Sequence, residues 1–247
     1  MIAAVFKTFF NSIFNLIYPP NCLLCRNHLL VGAEEKVLCA ACLEGIERNH
    51  PPFCRKCSRP LWQNPDGSLC RECQKTDYPF DRAWGATVYN ETMQKLIHLF
   101  KYQNKTSLRK VFSIIIDTFI ENHGIDVGRF DIVVPVPLHP ARLRERGYNQ
   151  SELLSESLAE KYRRPLMASK LLRQRHTPNQ ALLGKKERWT NIRSAFTIKD
   201  RAFFKKKSVL LVDDLLTTGA TVSEAARILK DAGAKEVSAL TLSIAIL

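Results

Sequence analysis

A chain of 247 residues, 45% hydrophobic and 25% charged, has material for one domain of ordinary size plus a smaller module, or for two modest domains. Its 10 glycines and 12 prolines exclude collagen-like and low-complexity chains, and no uncharged apolar run reaches the roughly 18 residues of a membrane-spanning helix. The formal charge of +13 is concentrated: residues 139–210 hold 18 Lys and Arg against 6 Asp and Glu, net +12. Such a stretch suits a polyanion, whether nucleic acid, membrane headgroups or a small polyphosphate, and a merely solvated face is the plain alternative.

In chain order, Ile2, Phe6, Phe9, Ile13 and Leu16 recur at helical spacing and predict a short amphipathic helix that docks on its own domain and stops at Pro19-Pro20. Lys7 lies inside this run rather than before it, and no small-residue cleavage site follows, so the segment does not read as an export signal. The expected compartment is the cytoplasm, where thiols stay reduced.

All eight cysteines fall between residues 22 and 73 as four C-x-x-C pairs: Cys22 with Cys25, Cys39 with Cys42, Cys54 with Cys57, Cys70 with Cys73. Each pair can supply two thiolates to one face of a tetrahedral ion, and two pairs close a four-thiolate site, for which zinc is the usual occupant. Two structural zinc ions are therefore expected. The near-equal gaps of 13, 11 and 12 residues favour sequential pairing into two tandem ribbons over an interleaved, cross-braced finger. His28 and His50 are spare ligands that eight thiols make unnecessary.

Past a linker around residues 75–79 the pattern alternates between strand and helix. Strands are expected at 82–89, 131–136, 208–212 and 237–245, and helices at 92–102, 108–120, 148–162 and 221–232, the last ending at Gly233. This is an α/β domain with a mainly parallel sheet flanked by helices. The expected division is 1–77 for the helix and cysteine module and 78–247 for the α/β domain.

The run Val209–Thr221, VLLVDDLLTTGAT, carries the most chemistry. Four apolar residues form a strand that delivers Asp213 and Asp214 to its carboxyl end, where open α/β sheets bind ligands. Two adjacent carboxylates accept hydrogen bonds from vicinal sugar hydroxyls or hold Mg²⁺ through water. Thr217, Thr218, Gly219, Ala220 and Thr221 then wrap a helix N-terminus as a phosphate cradle, and Gly219 permits a backbone approach that a side chain would block. Carboxylates for a ribose beside a cradle for its phosphate describe a ribose-phosphate site.

This run resembles the phosphoribosyl-pyrophosphate (PRPP) motif of type I phosphoribosyltransferases. The whole chain resembles the ComF family of competence-associated proteins, in which a double zinc ribbon precedes such a domain. The likeness extends over the cysteine module, YNETMQKLIHLFKY (89–102), VPVPLHPARLRERGYNQSELLSESLA (134–159) and RQRHTPNQALLGKKERWTNIRSAF (173–196). After the strand ending at Pro137, Leu138–Gly147 reads as a basic loop with Arg142, Arg144 and Arg146; the resemblance implies PRPP with Mg²⁺ as ligand and the pyrophosphate-holding role at Pro137–Pro140. It also implies a mobile basic lid over 173–196 that includes Arg175. Arginine forks grip phosphate bidentately, which suits them to these roles. Lys101, at a helix end, is a further phosphate candidate. The family also implies work in DNA uptake, beside a competence helicase and other uptake proteins, with single-stranded DNA as a partner. Two departures matter: Thr217 stands where several purine-salvage relatives carry an Asp, and no aromatic hood for a nucleobase is evident beyond Tyr78, Phe80 and Tyr89. The expected function is thus a competence accessory with a PRPP site; the alternative is an active transferase for an unidentified nucleobase or amine.

Overall fold

The computed structural model describes residues 20–29, 37–61, 68–176 and 185–246. The helix expected before Pro19-Pro20 lies outside them. The cysteine module contains two short helices, α1 (Ala40–Glu44) and α2 (Arg71–Lys75). After it come β1 (Arg82–Val88), α3 (Glu91–Tyr102), α4 (Leu108–Asn122), β2 (Ile132–Pro135), α5 (Pro140–Arg146) and α6 (Gln150–Lys161). The chain continues through β3 (Leu171–Arg173), α7 (Lys185–Ile192), β4 (Phe196–Ile198), β5 (Ser208–Leu216), α8 (Ala220–Asp231) and β6 (Glu236–Ile244).

Strands β1, β6, β5 and β2 form one parallel sheet in that order, with Val212 opposite Leu240 and Val134 opposite Leu211. The uninterrupted apolar runs of β2 and β5 follow from this, because a parallel sheet is buried on both faces. Alternate residues divide between two cores. Val209 and Leu211 join Ala225, Ala226 and Leu229 of α8 on one face. Leu210 and Val212 join Phe100, Phe112 and Leu154 of α3, α4 and α6 on the other. The period of two that sends successive strand side chains to opposite faces produces this division.

The cysteine module straddles the β1 edge of the sheet. Cys22, Leu38 and Ile46 belong to the α3–α4 core, whereas Cys54, Cys57, Cys70 and Cys73 belong to the α8 core. Between them the chain runs antiparallel to β1, with Arg48 opposite Thr87, and Asn49 N–H donates to the Ala86 carbonyl at 3.1 Å. Ala83 N–H donates to Lys56 O at 2.8 Å, and the Asn49 amide donates to both Ser58 O and Gly85 O at 2.8 Å. The module thus satisfies an edge that would otherwise be open to another chain.

Two expectations are corrected, and a third segment gains detail. The segment 138–147 is not wholly loop but contains α5: Pro140 opens it, His139 Nδ1 accepts from Ala141 N–H at 3.2 Å, and Gly147 closes it at φ 83°. With no apolar stripe, hydrophobic periodicity is blind to this short helix. Strand β5 runs past the acids to Leu216 because β6 pairs along it, Asp213 opposite Thr241 and Leu216 opposite Ile244. The acid pair therefore lies within the strand rather than beyond it. Finally, the segment expected as a lid is framed by an antiparallel ribbon, Leu171 opposite Ile198 and Arg173 opposite Phe196, and it carries α7.

Candidate functional site

At the carboxyl ends of β2 and β5 lies a cleft of about 500 Å³. Of the residues singled out in the sequence, Lys101, Pro137, Arg142, Arg146, Asp213, Asp214, Thr217, Gly219, Ala220 and Thr221 all line it. Residues from six separate elements and loops are brought together there. Thr218 is buried behind the lining, with its hydroxyl 3.4 Å from Ala220 N–H. Arg144 is exposed and outside the cleft. Arg175 is also outside, its guanidinium donating to the carbonyls of Asn191 and Arg193 at 2.6 Å each. Residues 177–184 of the segment expected as a lid lie outside the described residues.

The two acids are buried, 9% and 6% exposed, and each has a named partner. Lys101 Nζ forms an ion pair with Asp214 Oδ2. Ser151 Oγ donates to Asp213 Oδ1 at 2.8 Å, and Asp214 N–H donates to the same oxygen at 2.9 Å. Burial, and then the neighbouring Asp214 carboxylate, push the Asp213 carboxyl up to about 7. For Lys101, burial works against the ammonium, but the Asp214 carboxylate outweighs it and its affinity for the proton is raised. One cation serving two acids leaves the pair able to take hydroxyl donors or a hydrated dication.

Ser151 is a site residue that sequence reasoning missed. Asn149 caps α6 by accepting from Ser151 N–H at 3.2 Å, and its amide donates to Val136 O at 3.1 Å. This ties the first turn of α6 to the end of β2 and sets Ser151 against Asp213. The N-cap was legible in the sequence, since Asn149 precedes Glu152 by three residues, but its target was not.

The cradle depends on Gly219, which N-caps α8 at φ 82°. A Cβ there would also meet Tyr78 Cε1 at 2.9 Å. Tyr78 and Phe80 are core residues, stacked at 5.0 Å between ring centres, and so are no hood for a base. Tyr89 does line the cleft, joined by Gln94, His98 and Tyr102 from one face of α3. The Arg146 guanidinium lies over the Tyr102 ring at 5.1 Å. Arg142, Arg146, Arg173 and Arg188 line the same cleft as the cradle. His139 lines the cleft as well, its ring 5.0 Å from that of His176 at the start of the segment expected as a lid. A cluster of cations around a helix N-terminus is an arrangement for a di- or polyphosphate.

The cysteines form two separate clusters, Cys22, Cys25, Cys39 and Cys42, and Cys54, Cys57, Cys70 and Cys73, each with its sulfurs within 4.8 Å of one another. All eight are unlinked by disulfides. Cys25 and Cys39 lie 3.6 Å apart, as do Cys57 and Cys70, close to the roughly 3.8 Å edge of a tetrahedron with zinc–sulfur bonds of about 2.3 Å. The donor set fits a structural zinc in each site, with sequential pairing. His28 and His50 are exposed and take no part.

The fold and its sites define a double zinc ribbon joined to a phosphoribosyltransferase-type domain. The family model for a double zinc ribbon domain matches residues 13–74, and that for a phosphoribosyl transferase domain matches residues 159–243. The chain is 29% identical over 221 residues to competence protein F of Haemophilus influenzae, covering 87% of this chain and 93% of that one. It is 27% identical to the DNA utilization protein YhgH of Escherichia coli K12, over 90% of this chain and 96% of that one. It is 28% identical to competence protein ComFC of Streptococcus pneumoniae, over 90% and 98%. Over nearly its whole length the chain is thus similar to these competence and DNA-utilization proteins, and its two parts match a double zinc ribbon and a phosphoribosyl transferase domain. Among the described residues no helix is long and apolar enough to cross a membrane.

Proposed function

We propose that this protein binds Mg²⁺-PRPP in the cleft and serves DNA uptake or utilisation in the cytoplasm as an accessory that also binds single-stranded DNA. The observation that carries the ligand reading is the partnered acid pair, Asp213 with Ser151 and Asp214 with Lys101, beside the cradle begun by Gly219. In this reading Asp213 and Asp214 accept from the ribose hydroxyls, and residues 217–221 hold the 5′-phosphate. Arg142 and Arg146 face the pyrophosphate, whose Mg²⁺ travels with the ligand. The link to DNA, and to a competence helicase and other uptake proteins, rests on the relatives' names and on the basic residues outside the cleft. Lys205, Lys206 and Lys207 lead into β5 at Ser208, at the amino end of the sheet and away from the cleft, so the basic stretch is divided between two ends of the molecule.

A second reading, transfer of the phosphoribosyl group to an acceptor, draws on the rings of Tyr89, His98 and Tyr102 in the cleft, against which a planar acceptor can lie. Calorimetric titration of Mg²⁺-PRPP into wild-type protein and into Asp213→Asn/Asp214→Asn, with single-stranded DNA added in competition, tests the first reading. Binding lost in the double variant supports it, and equal affinity in both overturns it. Pyrophosphate released from PRPP only when a nucleobase or amine is supplied would instead favour the transferase.

A further inference from the structure

Arg59 belongs to the second ribbon, yet its side chain ends in the phosphate loop. The residue is 4% exposed. Its Nη1 donates to Cys57 Sγ at 3.4 Å and its Nε to Ala245 O at 3.1 Å, while its Nη2 donates to Thr217 O. One residue further along the same loop, the Tyr78 hydroxyl donates to Thr218 O at 3.2 Å. Two consecutive carbonyls of the cradle are therefore held from outside by buried side chains. In a trans peptide the N–H points opposite to the C=O. Drawing the Thr217 and Thr218 carbonyls back turns the N–H groups of Thr218 and Gly219 the other way.

The charge balance ties this clamp to the metal. A buried guanidinium needs a compensating anion, and among the described residues no carboxylate lies within ion-pair reach of Arg59. Its neighbour on the ribbon side is Cys57, one of the four sulfurs of the second site and a thiolate when that site holds zinc. Four thiolates around a dication leave a doubly negative centre. Zinc bound there would fix Cys57 Sγ, and with it the acceptor of Arg59 Nη1.

We propose that Arg59 is a positioning residue that couples the second zinc site to the phosphate loop, so that zinc in the ribbon and a phosphorylated ligand in the cradle stabilise one another. The ligand side of this coupling rests on the reading of residues 217–221 as the PRPP cradle; the loop side does not. Because linkage is reciprocal, each partner must tighten the other by the same factor.

The test uses the full-length, zinc-loaded protein with Arg59→Met and Arg59→Lys. Arg59→Met is expected to raise amide hydrogen exchange in residues 217–221 about tenfold and to weaken Mg²⁺-PRPP about tenfold, the scale of one lost charged hydrogen bond. Arg59→Lys, which keeps the charge but cannot span three acceptors, should fall between. In the wild type, saturating Mg²⁺-PRPP should slow zinc transfer from the second site to a colorimetric chelator, and this slowing should vanish in Arg59→Met. Unchanged loop exchange in the variants overturns the proposal, as does zinc release indifferent to PRPP in a wild type that binds it. If the wild type binds no PRPP but loop exchange still rises in the variants, the coupling stands and the ligand reading falls. Should Arg59→Met not fold, Arg59→Lys carries the same exchange and release measurements.

Discussion

Lys101, at the end of α3, and Asp214, within β5, meet in an ion pair whose side chains are 21% and 8% exposed. The lysine that closes a helix over the sheet thus offsets the second of two adjacent acids on the central strand. Lys101→Met leaves Asp214 buried beside Asp213 with that cation gone, and breaking a buried pair from one side costs about 3 kcal/mol. The expected outcome is a melting temperature lower by roughly 6–12 °C, at about 2–4 °C per kcal/mol for a chain of this size. Adding Asp214→Asn should recover most of the loss, as read by calorimetry.

The pH dependence of the unliganded protein follows from Asp213. Its carboxyl is pushed up to about 7 from the usual 3.8, by burial first and by Asp214 second. Between those values the folded state holds a proton that the unfolded state has released. The group's contribution is therefore fully present below about 4 and is lost as pH rises through 7. Chemical denaturation of wild type and Asp213→Asn from pH 5 to 8 should show the wild type losing stability relative to the variant across this window.

Gly219→Ala combines a positive φ of 82° with a Cβ 2.9 Å from the Tyr78 ring. A strained position of this kind costs about 1–3 kcal/mol. The loop must shift, and Mg²⁺-PRPP affinity should fall well beyond what the loss of stability explains. An equilibrium titration at a temperature where the variant is fully folded measures this.

Zinc should leave the two sites in order. The four cysteines of the second cluster are all buried, whereas Cys25 of the first is exposed and Cys39 and Cys42 are partly so. Chelation of a protein holding about two zinc ions per chain should be biphasic, with Cys25→Ser removing the fast phase and Cys57→Ser the slow one. Because Cys57 packs in the α8 core, its loss should lower the stability of the whole chain and not of the ribbon alone.

Charge reversal at Lys205, Lys206 and Lys207 should weaken single-stranded DNA and spare Mg²⁺-PRPP, since these residues lie outside the cleft. In the wild type, contact with about four phosphates gives a log affinity against log salt slope near −3. Filter binding across a salt series, with PRPP calorimetry on the same variant, separates the two surfaces.

By itself the sequence determined the parts whose signal is local. The apolar runs of β2 and β5, the four C-x-x-C pairs and the glycine opening α8 each need only their immediate neighbours to be read, and most of the cleft lining was legible from the PRPP-like run and the basic segment after β2. What only the tertiary structure decided depends on partners distant in the chain. The length of β5 was set by β6, because a strand continues through Asp213 and Asp214 when its neighbour pairs along it. Helix α5 was hidden because it buries no stripe. Ser151 became a site residue only when Asn149 tied α6 to β2, and Arg175 left the site because backbone carbonyls of its own segment hold it. The position of the cysteine module had no sequence signal at all. It follows from β1 being an edge strand whose N–H groups need acceptors, and that need places Arg59 against the phosphate loop.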